Sequence, residues 1–126
     1  MDVPEPRVEH SPACMRVSKL LSRIGDKWTV LDIMLLREQS RRFSDLKRGV
    51  DGISQRMLTL TLRNLERDGL VSRKVTPSIP PRVDYELTEL GHSLAEPIQA
   101  LGGWAFRHME QIDAAQAAYD TRENIV

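Results

Sequence analysis

Residues 42–69 read RFSDLKRGVDGISQRMLTLTLRNLERDG, and this stretch decides the fold. The helical spacing of its apolar residues predicts a short helix over 42–50, whose inward-facing residues are Phe43, Leu46 and Val50. Asp51-Gly52 signals a turn, and Ser54 is well suited to cap a longer helix that ends near Asp68-Gly69. About four residues separate the two helices, which is the spacing of a helix-turn-helix.

The longer helix divides into an apolar face and a polar face when its residues are placed about 100° apart. The apolar arc, which we expect to be buried, contains Met57, Leu58, Leu60, Thr61, Leu62 and Leu65. The polar face contains Gln55, Arg56, Thr59, Arg63, Glu66 and Arg67. In a helix-turn-helix the second helix lies in the major groove and contacts bases near its N-terminus. Gln can bond adenine, Arg can bond guanine, and the Thr methyl can contact thymine.

A charged face is also typical of an ordinary surface helix, so the residues around it matter. Basic side chains flank it on both sides, at Arg41, Arg42, Lys47, Arg48, Arg73, Lys74 and Arg82. Such side chains can bind phosphates and fix the register of a protein on a duplex. Ser44 is the predicted N-cap of the short helix. The predicted DNA contacts are Arg42, Ser44, Lys47, Arg48, Ser54, Gln55, Arg56, Thr59, Arg63, Arg67, Lys74 and Arg82.

The distribution of charge favours the same interpretation. The 126 residues carry no net charge, which alone argues against a polyanionic partner. However, residues 1–15 carry a net charge of −2, residues 16–82 carry +8, and residues 83–126 carry −6. This asymmetry predicts a polyanion-binding surface in the middle of the chain and a different role for its two ends. The alternative is that the charges are scattered over the surface and serve only solubility.

The first forty residues predict an arm and two helices. Residues 1–12 hold three prolines and no periodicity, which predicts a mobile N-terminal arm. A helical stripe follows that ends at Gly25 and consists of Val17, Leu20, Leu21 and Ile24. Residues 27–38 are apolar around most of the helix, which predicts a buried central helix. The residues expected inside are Trp28, Leu31, Ile33, Met34, Leu35 and Leu36.

Two β-rich segments, 70–75 and 82–87, are separated by a proline-rich stretch that cannot form a regular ladder. They predict a ribbon with a stiff, protruding tip. Thr88 is expected to cap a last helix, and Pro97 to kink or restart it. The whole order predicts a mainly α fold with a small two- or three-stranded antiparallel β wing, a winged helix-turn-helix with terminal dimerisation helices.

The last helix is expected to form a dimer interface. Ile98, Leu101, Ala105 and Ile112 recur near the 3-4 alternation of a helix–helix seam, with His108 or Met109 filling the gap. Trp104 adds apolar area to this predicted interface. Packing against the core of the same subunit is the alternative. A twofold axis would place two recognition helices about 34 Å apart, which predicts a palindromic site. We expect the helix to span about 89–118 and a flexible tail to follow at 119–126.

Cys14, the one cysteine, is the candidate sensor of an oxidant. The start of a helix and nearby basic residues favour a reactive thiolate, whereas the alternative is a small buried hydrophobe. The three histidines lack ligand spacing, and no catalytic constellation or phosphate loop is present, so we expect no metal, cofactor or enzymatic activity. No apolar run is long enough to span a membrane, and no signal peptide is recognisable, which predicts a cytoplasmic protein.

The chain resembles the HxlR-type transcriptional regulators, a MarR-related group. The resemblance covers about residues 14–112, and it is carried by Cys14, IGDKWT (24–29), RFSDLKRGV (42–50), GISQRML (52–58), LRNLERDGLVSR (62–73), PPRVDYELTELG (80–91) and Trp104. It implies a helix-turn-helix at about 42–68, a wing at about 71–87 and homodimers formed by the terminal helices. It also implies operator binding and, in some members, redox control through a cysteine near this position. Asp26 and Met15 depart from the family pattern, outside the predicted DNA face.

The sequence therefore predicts a homodimeric regulator, more often a repressor, that binds double-stranded DNA and responds to an oxidant or a small molecule. One alternative is a winged helix that docks another protein. The other is a small-molecule-binding protein or enzyme with its site at the dimer interface. A salt titration distinguishes them, because each neutralised phosphate contributes about −0.9 to the slope of log K against log salt.

Overall fold

The computed structural model describes residues 11–125. The elements follow one another as α1 (Pro12–Ile24), α2 (Lys27–Glu38), β1 (Arg41–Arg42), α3 (Phe43–Gly49), α4 (Gln55–Arg67), β2 (Val71–Thr76), β3 (Arg82–Leu87) and α5 (Glu89–Ile125). The predicted arm at 1–12 lies outside the described residues except for its last two. A mainly helical chain with a small antiparallel wing is therefore confirmed.

Helix α1 begins within the segment expected to be an arm. The hydroxyl of Ser11 accepts a hydrogen bond from the backbone nitrogen of Cys14 at 3.1 Å, and Pro12 occupies the first helical position. Both residues are favoured there, because a hydroxyl satisfies an otherwise unpaired N–H and proline has no N–H to satisfy. Gly25 ends the helix as predicted.

Helix α2 lies at the centre of the core. It packs against α5, α4, β3 and both neighbouring helices, and it buries Ile33 and Leu36 completely or nearly so. The prediction that Leu31 is inside is wrong, since its side chain is 43% exposed. Leu31 lies about 160° around the helix from Ile33, so it faces away from the elements that cover that side. Asp32, in contrast, is fully buried.

Helices α3 and α4 form the helix-turn-helix. The prediction that Ser44 caps α3 is wrong, because the helix begins one residue before it and the Asp45 carboxylate accepts a hydrogen bond from the Arg42 nitrogen at 3.3 Å. The Ser54 cap is confirmed, since its hydroxyl accepts from the Met57 nitrogen at 3.1 Å.

The end of α4 is set by Gly69, which has a φ of 77°. This left-handed conformation is accessible to glycine at little cost. It allows the Leu70 nitrogen to donate to the Leu65 carbonyl at 2.9 Å and the Gly69 nitrogen to donate to the Glu66 carbonyl at 3.0 Å. These two hydrogen bonds form a Schellman motif, which turns the chain from α4 into the wing.

The wing is a three-stranded antiparallel sheet in the order β1-β3-β2. Val71 pairs with Leu87 at the base, and Thr76 pairs with Arg82 next to the tip. The short strand β1 adds Arg41 opposite Tyr85 on the other edge. Ile79 in the tip is fully exposed. The two strands predicted from the sequence are confirmed, and β1 is the third strand.

The predicted Thr88 cap of α5 is confirmed. Its hydroxyl accepts from the Gly91 nitrogen at 3.1 Å and donates to the Gly69 carbonyl at 2.6 Å, while its own nitrogen donates to the Leu70 carbonyl at 3.0 Å. These contacts bring Gly91 against Leu70, so that a Cβ atom on Gly91 would lie 2.1 Å from the Leu70 carbonyl oxygen. The first turn of α5 is therefore fixed to the junction between α4 and β2.

Helix α5 continues to Ile125, beyond the predicted end near 118 and into the predicted tail at 119–126. Residues 113–122 read DAAQAAYDTR, and alanine is the strongest helix former, which explains the greater length. Pro97 lies inside the helix and cannot donate a hydrogen bond to the Ser93 carbonyl. Among residues 11–125, no helix is long and apolar enough to cross a membrane.

Candidate nucleic-acid interface

The polar face of α4 points away from the core. Leu58, Leu62 and Leu65 are buried on the opposite side of the helix. Gln55, Arg56, Thr59 and Arg63 line one surface depression together with Leu60. Gln55, Thr59 and Arg63 also line a second depression that reaches the wing at Arg73 and Tyr85. The structure therefore brings together the four residues that the sequence predicts to contact bases. Arg67 is exposed one turn beyond Arg63.

Two of the hydroxyl groups near this face are used within the helix. Ser54 caps α4, and the Thr59 hydroxyl donates to the Gln55 carbonyl at 2.9 Å. The Thr59 side chain can then offer a base its methyl group and the acceptor lone pairs of its oxygen, but not its hydroxyl hydrogen. Ser44 is exposed in the first turn of α3.

The basic residues around α4 differ in how far their charges are neutralised. Arg48 pairs with Asp45 at 2.5 Å, and Arg82 pairs with Asp84 at 3.0 Å, so these two cations are partly compensated. Arg41, which also flanks the helix, binds the Leu35 carbonyl and Glu38. On and around α4, the exposed cations that form no ion pair with any residue from 11 to 125 are Arg42, Lys47, Arg56, Arg63, Arg67, Arg73 and Lys74.

The apolar arc of α4 is narrower than the sequence predicts. The sequence predicts that Met57 and Leu60 are buried, but they are 37% and 50% exposed. The elements that pack on α4 cover only the side of Leu58, Leu62 and Leu65. The sequence prediction assigned every leucine of α4 to the buried side because leucine is apolar. Residue type alone therefore could not show that Leu60 lies on the outward face.

The predicted dimer residues fall into two groups. Ile98 is only 8% exposed and belongs to the core of its own protomer. Trp104, Ala105 and His108 lie on the outer part of α5, where the Trp104 and His108 rings stack with centroids 4.4 Å apart. The large apolar side chains exposed along α5 include Leu101, Trp104, Phe106, Met109 and Ile112, and those exposed along α1 include Val17, Leu20 and Leu21.

Cys14 is half-buried in the first turn of α1. The other end of α1 is joined to α4 by an ion pair. The Arg23 guanidinium donates to both carboxylate oxygens of Asp68, with Nε–Oδ2 and Nη2–Oδ1 distances of 3.0 Å each. Asp68 is the C-cap of α4, so this bidentate contact links the helix that carries Cys14 to the helix that carries Arg56 and Arg63.

Asp32 is an ionisable group that sequence reasoning missed. It is fully buried in α2, and neither carboxylate oxygen has a hydrogen-bond partner within the described part of the chain. Burial, and to a smaller extent the negative charge of Asp26, raises the pKa of Asp32 to about 7. The one signal in the sequence is an acidic residue inside the otherwise apolar run WTVLDIMLL (28–36).

A helix-turn-helix followed by a β wing, with a basic outward face on its second helix, defines the winged helix-turn-helix class of transcriptional regulators. The model of the HxlR-like helix-turn-helix family matches residues 23–113. The chain belongs to this family, which confirms the resemblance drawn from the sequence.

Similar proteins agree with this assignment. The chain is 38% identical over 98 residues to the uncharacterized HTH-type transcriptional regulator YtfH of Escherichia coli K12, a match that covers 78% of each chain. The structure of YtfH from Salmonella typhimurium, described as a putative transcriptional regulator, has a TM-score of 0.77 at 34% identity and covers 90% of this chain and 99% of that one. The redox regulator HypR in its reduced form has a TM-score of 0.73 at 35% identity, covering 79% and 98%.

Proposed function

We propose that this regulator binds double-stranded DNA sequence-specifically, as a homodimer on a palindromic operator, and that it acts by repression. The observation that carries the proposal is the outward face of α4. Its buried leucines orient Gln55, Arg56, Thr59 and Arg63 toward solvent on one side. These side chains offer the donors and the methyl group that distinguish base pairs in the major groove.

Charge supports a duplex as the partner. Arg42, Lys47 and Lys74 are exposed on the elements before and after α4, where they can contact phosphates on either side of the groove. The acidic residues are concentrated instead from residue 83 onward. A regulator of this kind acts where the chromosome is, and we therefore place it in the cytoplasm.

Exposed apolar surface supports the dimer. Leu101 is 68% exposed and Trp104 is 48% exposed on α5, and α1 buries none of its side chains completely. Covering such side chains with a second copy removes apolar area from water. We assign the interface to α1 and to Leu101, Trp104, Ala105, His108, Met109 and Ile112 of α5, and leave Ile98 in the core.

Arg56→Ala and Arg63→Ala are expected to weaken operator binding by about 1–3 kcal/mol each, because each variant loses a cation that can bond guanine. The operator is first selected from a random pool of duplexes by the purified protein, and affinity is then measured by fluorescence anisotropy. Arg122→Ala, which removes an exposed arginine near the end of α5, is the control and should bind as the wild type does. Unchanged affinity in both α4 variants would refute the assignment of this face.

The salt dependence of the same binding separates the proposal from a protein-docking module or a small-molecule carrier. Phosphate contacts require log K to fall with log salt by about 0.9 for each phosphate neutralised. If no duplex is enriched from the pool and affinity for random duplex shows no such slope, the DNA-binding function is wrong.

We further propose that Cys14 makes the regulator responsive to oxidants. HypR is described as a redox regulator in both a reduced and an oxidised form. With one cysteine per chain, oxidation must produce a sulfenic acid, a mixed disulfide, or a disulfide between the two copies of Cys14. A small-molecule effector is the second candidate signal.

Treatment with a thiol oxidant is expected to change the operator affinity of the wild type about 5- to 100-fold, the usual range of coupling between two sites. Cys14→Ser should bind the operator as the reduced wild type does and should not respond. The readout is anisotropy before and after oxidation and again after reduction. An equal oxidant response in Cys14→Ser would exclude this residue as the sensor.

A further inference from the structure

Leu60 lies on the outward surface of α4, beside its cationic side chains. Its side chain is 50% exposed although it is large and apolar. Helical geometry places it about 40° from Arg56 and about 60° from Arg63, on the same side of the helix as both. It also lines the depression that contains Gln55, Arg56, Thr59 and Arg63. The outward surface therefore combines cationic side chains with an exposed apolar side chain next to them.

A single exposed leucine is common on protein surfaces. The position of this one is informative because exposed cations, which attract a polyanion, surround it on α4. A duplex brought to this face presents the edges of its bases in the major groove. Among those edges, only thymine displays a methyl group, and apolar side chains recognise it by contact.

We propose that Leu60 is a specificity-determining residue that contacts the C5 methyl group of a thymine in each half-site of the operator. The inference rests on the proposed DNA-binding function and adds to it a feature of the ligand. Each half-site must contain a thymine at the position that Leu60 reaches, between the bases contacted by Arg56 and Arg63. Contact with the methyl removes apolar area of both groups from water.

Thr59 offers a second apolar group in the same depression. The Thr59 hydroxyl donates to the Gln55 carbonyl at 2.9 Å, so its hydrogen is already used within the helix. The Thr59 methyl and the Leu60 side chain are adjacent along the chain and line the same depression. The Thr59 methyl projects about 100° around the helix from Leu60, so it can contact a different base.

Replacement of thymine by uracil tests the inference, since uracil pairs identically and lacks only the methyl group. The operator is selected with the full-length protein, and each thymine is then replaced by uracil, in both half-sites at once. Losing one methyl contact per half-site should weaken wild-type binding about tenfold at one position, given about 0.8 kcal/mol for each buried carbon. Leu60→Ala should bind the thymine and uracil duplexes at that position equally, whereas Leu60→Met should keep the preference.

Leu90→Ala is the matched control, because it truncates another exposed leucine on a different helix. It should show the same uracil penalties as the wild type. Equal uracil penalties at every position in the wild type and in Leu60→Ala would overturn the inference, as would the lack of any uracil-sensitive position in the wild type. Failure to select any duplex is a different result, which overturns the proposed function itself. Thermal unfolding of each variant confirms that it is folded.

Discussion

Gly91→Ala is expected to lower the free energy of unfolding by about 3 kcal/mol or more. The added Cβ atom would lie 2.1 Å from the backbone carbonyl oxygen of Leu70. Carbon and oxygen atoms in the closest ordinary contacts of proteins are about 3.3–3.6 Å apart. The first turn of α5 would therefore have to move by about 1 Å or more, and Thr88 would lose its hydrogen bonds to Gly69 and Leu70.

Gly102→Ala provides the matched control, because it makes the same change in the same helix. A Cβ atom at Gly102 meets no other atom within 4 Å. Alanine is favoured over glycine inside a helix by about 1 kcal/mol, so this variant should be as stable as the wild type or more stable. Urea unfolding at one fixed protein concentration gives the comparison, since the stability of a dimer depends on concentration. Equal midpoints for Gly91→Ala and the wild type would contradict the close contact.

Asp32→Asn is expected to stabilise the protein by about 4 kcal/mol above pH 7. Burial and the charge of Asp26 raise the pKa of Asp32 from 3.8 to about 7, and a tenfold change in a protonation equilibrium corresponds to about 1.36 kcal/mol. Because the folded-state pKa is above the unfolded value, the native state favours the protonated carboxyl. The contribution of Asp32 to stability is therefore greatest below about pH 4, falls as the pH rises to about 7, and is constant above.

The measurement is the difference in unfolding free energy between Asp32→Asn and the wild type from about pH 3 to about pH 9. We expect a difference near zero at low pH that rises between about pH 4 and about pH 7. Asp113→Asn, at an exposed position of α5, should follow the wild type at every pH. Parallel curves for Asp32→Asn and the wild type would show that folding does not raise the pKa of this carboxyl.

Features that depend on a few neighbouring residues could be predicted from the sequence. Ser54 and Thr88 cap their helices as expected, because a hydroxyl just before a helical pattern can accept from an unpaired backbone N–H. The same rule placed the cap of α3 two residues too late, at Ser44 instead of Arg42. Gly69 ends α4 for a similarly local reason. The helix-turn-helix and the wing follow from these signals, and so does the grouping of Arg56 and Arg63 on one face.

Features that depend on packing between distant segments could not be predicted. Which sides of α2 and α4 are covered is decided by α5 and the wing, so the exposure of Leu31 and Leu60 and the burial of Asp32 were missed. The contact between Gly91 and Leu70 joins residues twenty-one positions apart, which no local pattern encodes.

The bidentate contact between Arg23 and Asp68 offers a structural link between modification of Cys14 and binding of the operator. It connects the helix that carries Cys14 to the end of α4, the helix whose outward face we propose to contact bases. Linked equilibria are reciprocal. The factor by which modification of Cys14 changes operator affinity equals the factor by which a bound operator changes the equilibrium constant of that modification. Under the proposed function, the equilibrium fraction of modified Cys14 would therefore differ between operator-bound and free copies of the regulator, so that occupancy of the operator would shift the oxidant concentration at which the response occurs.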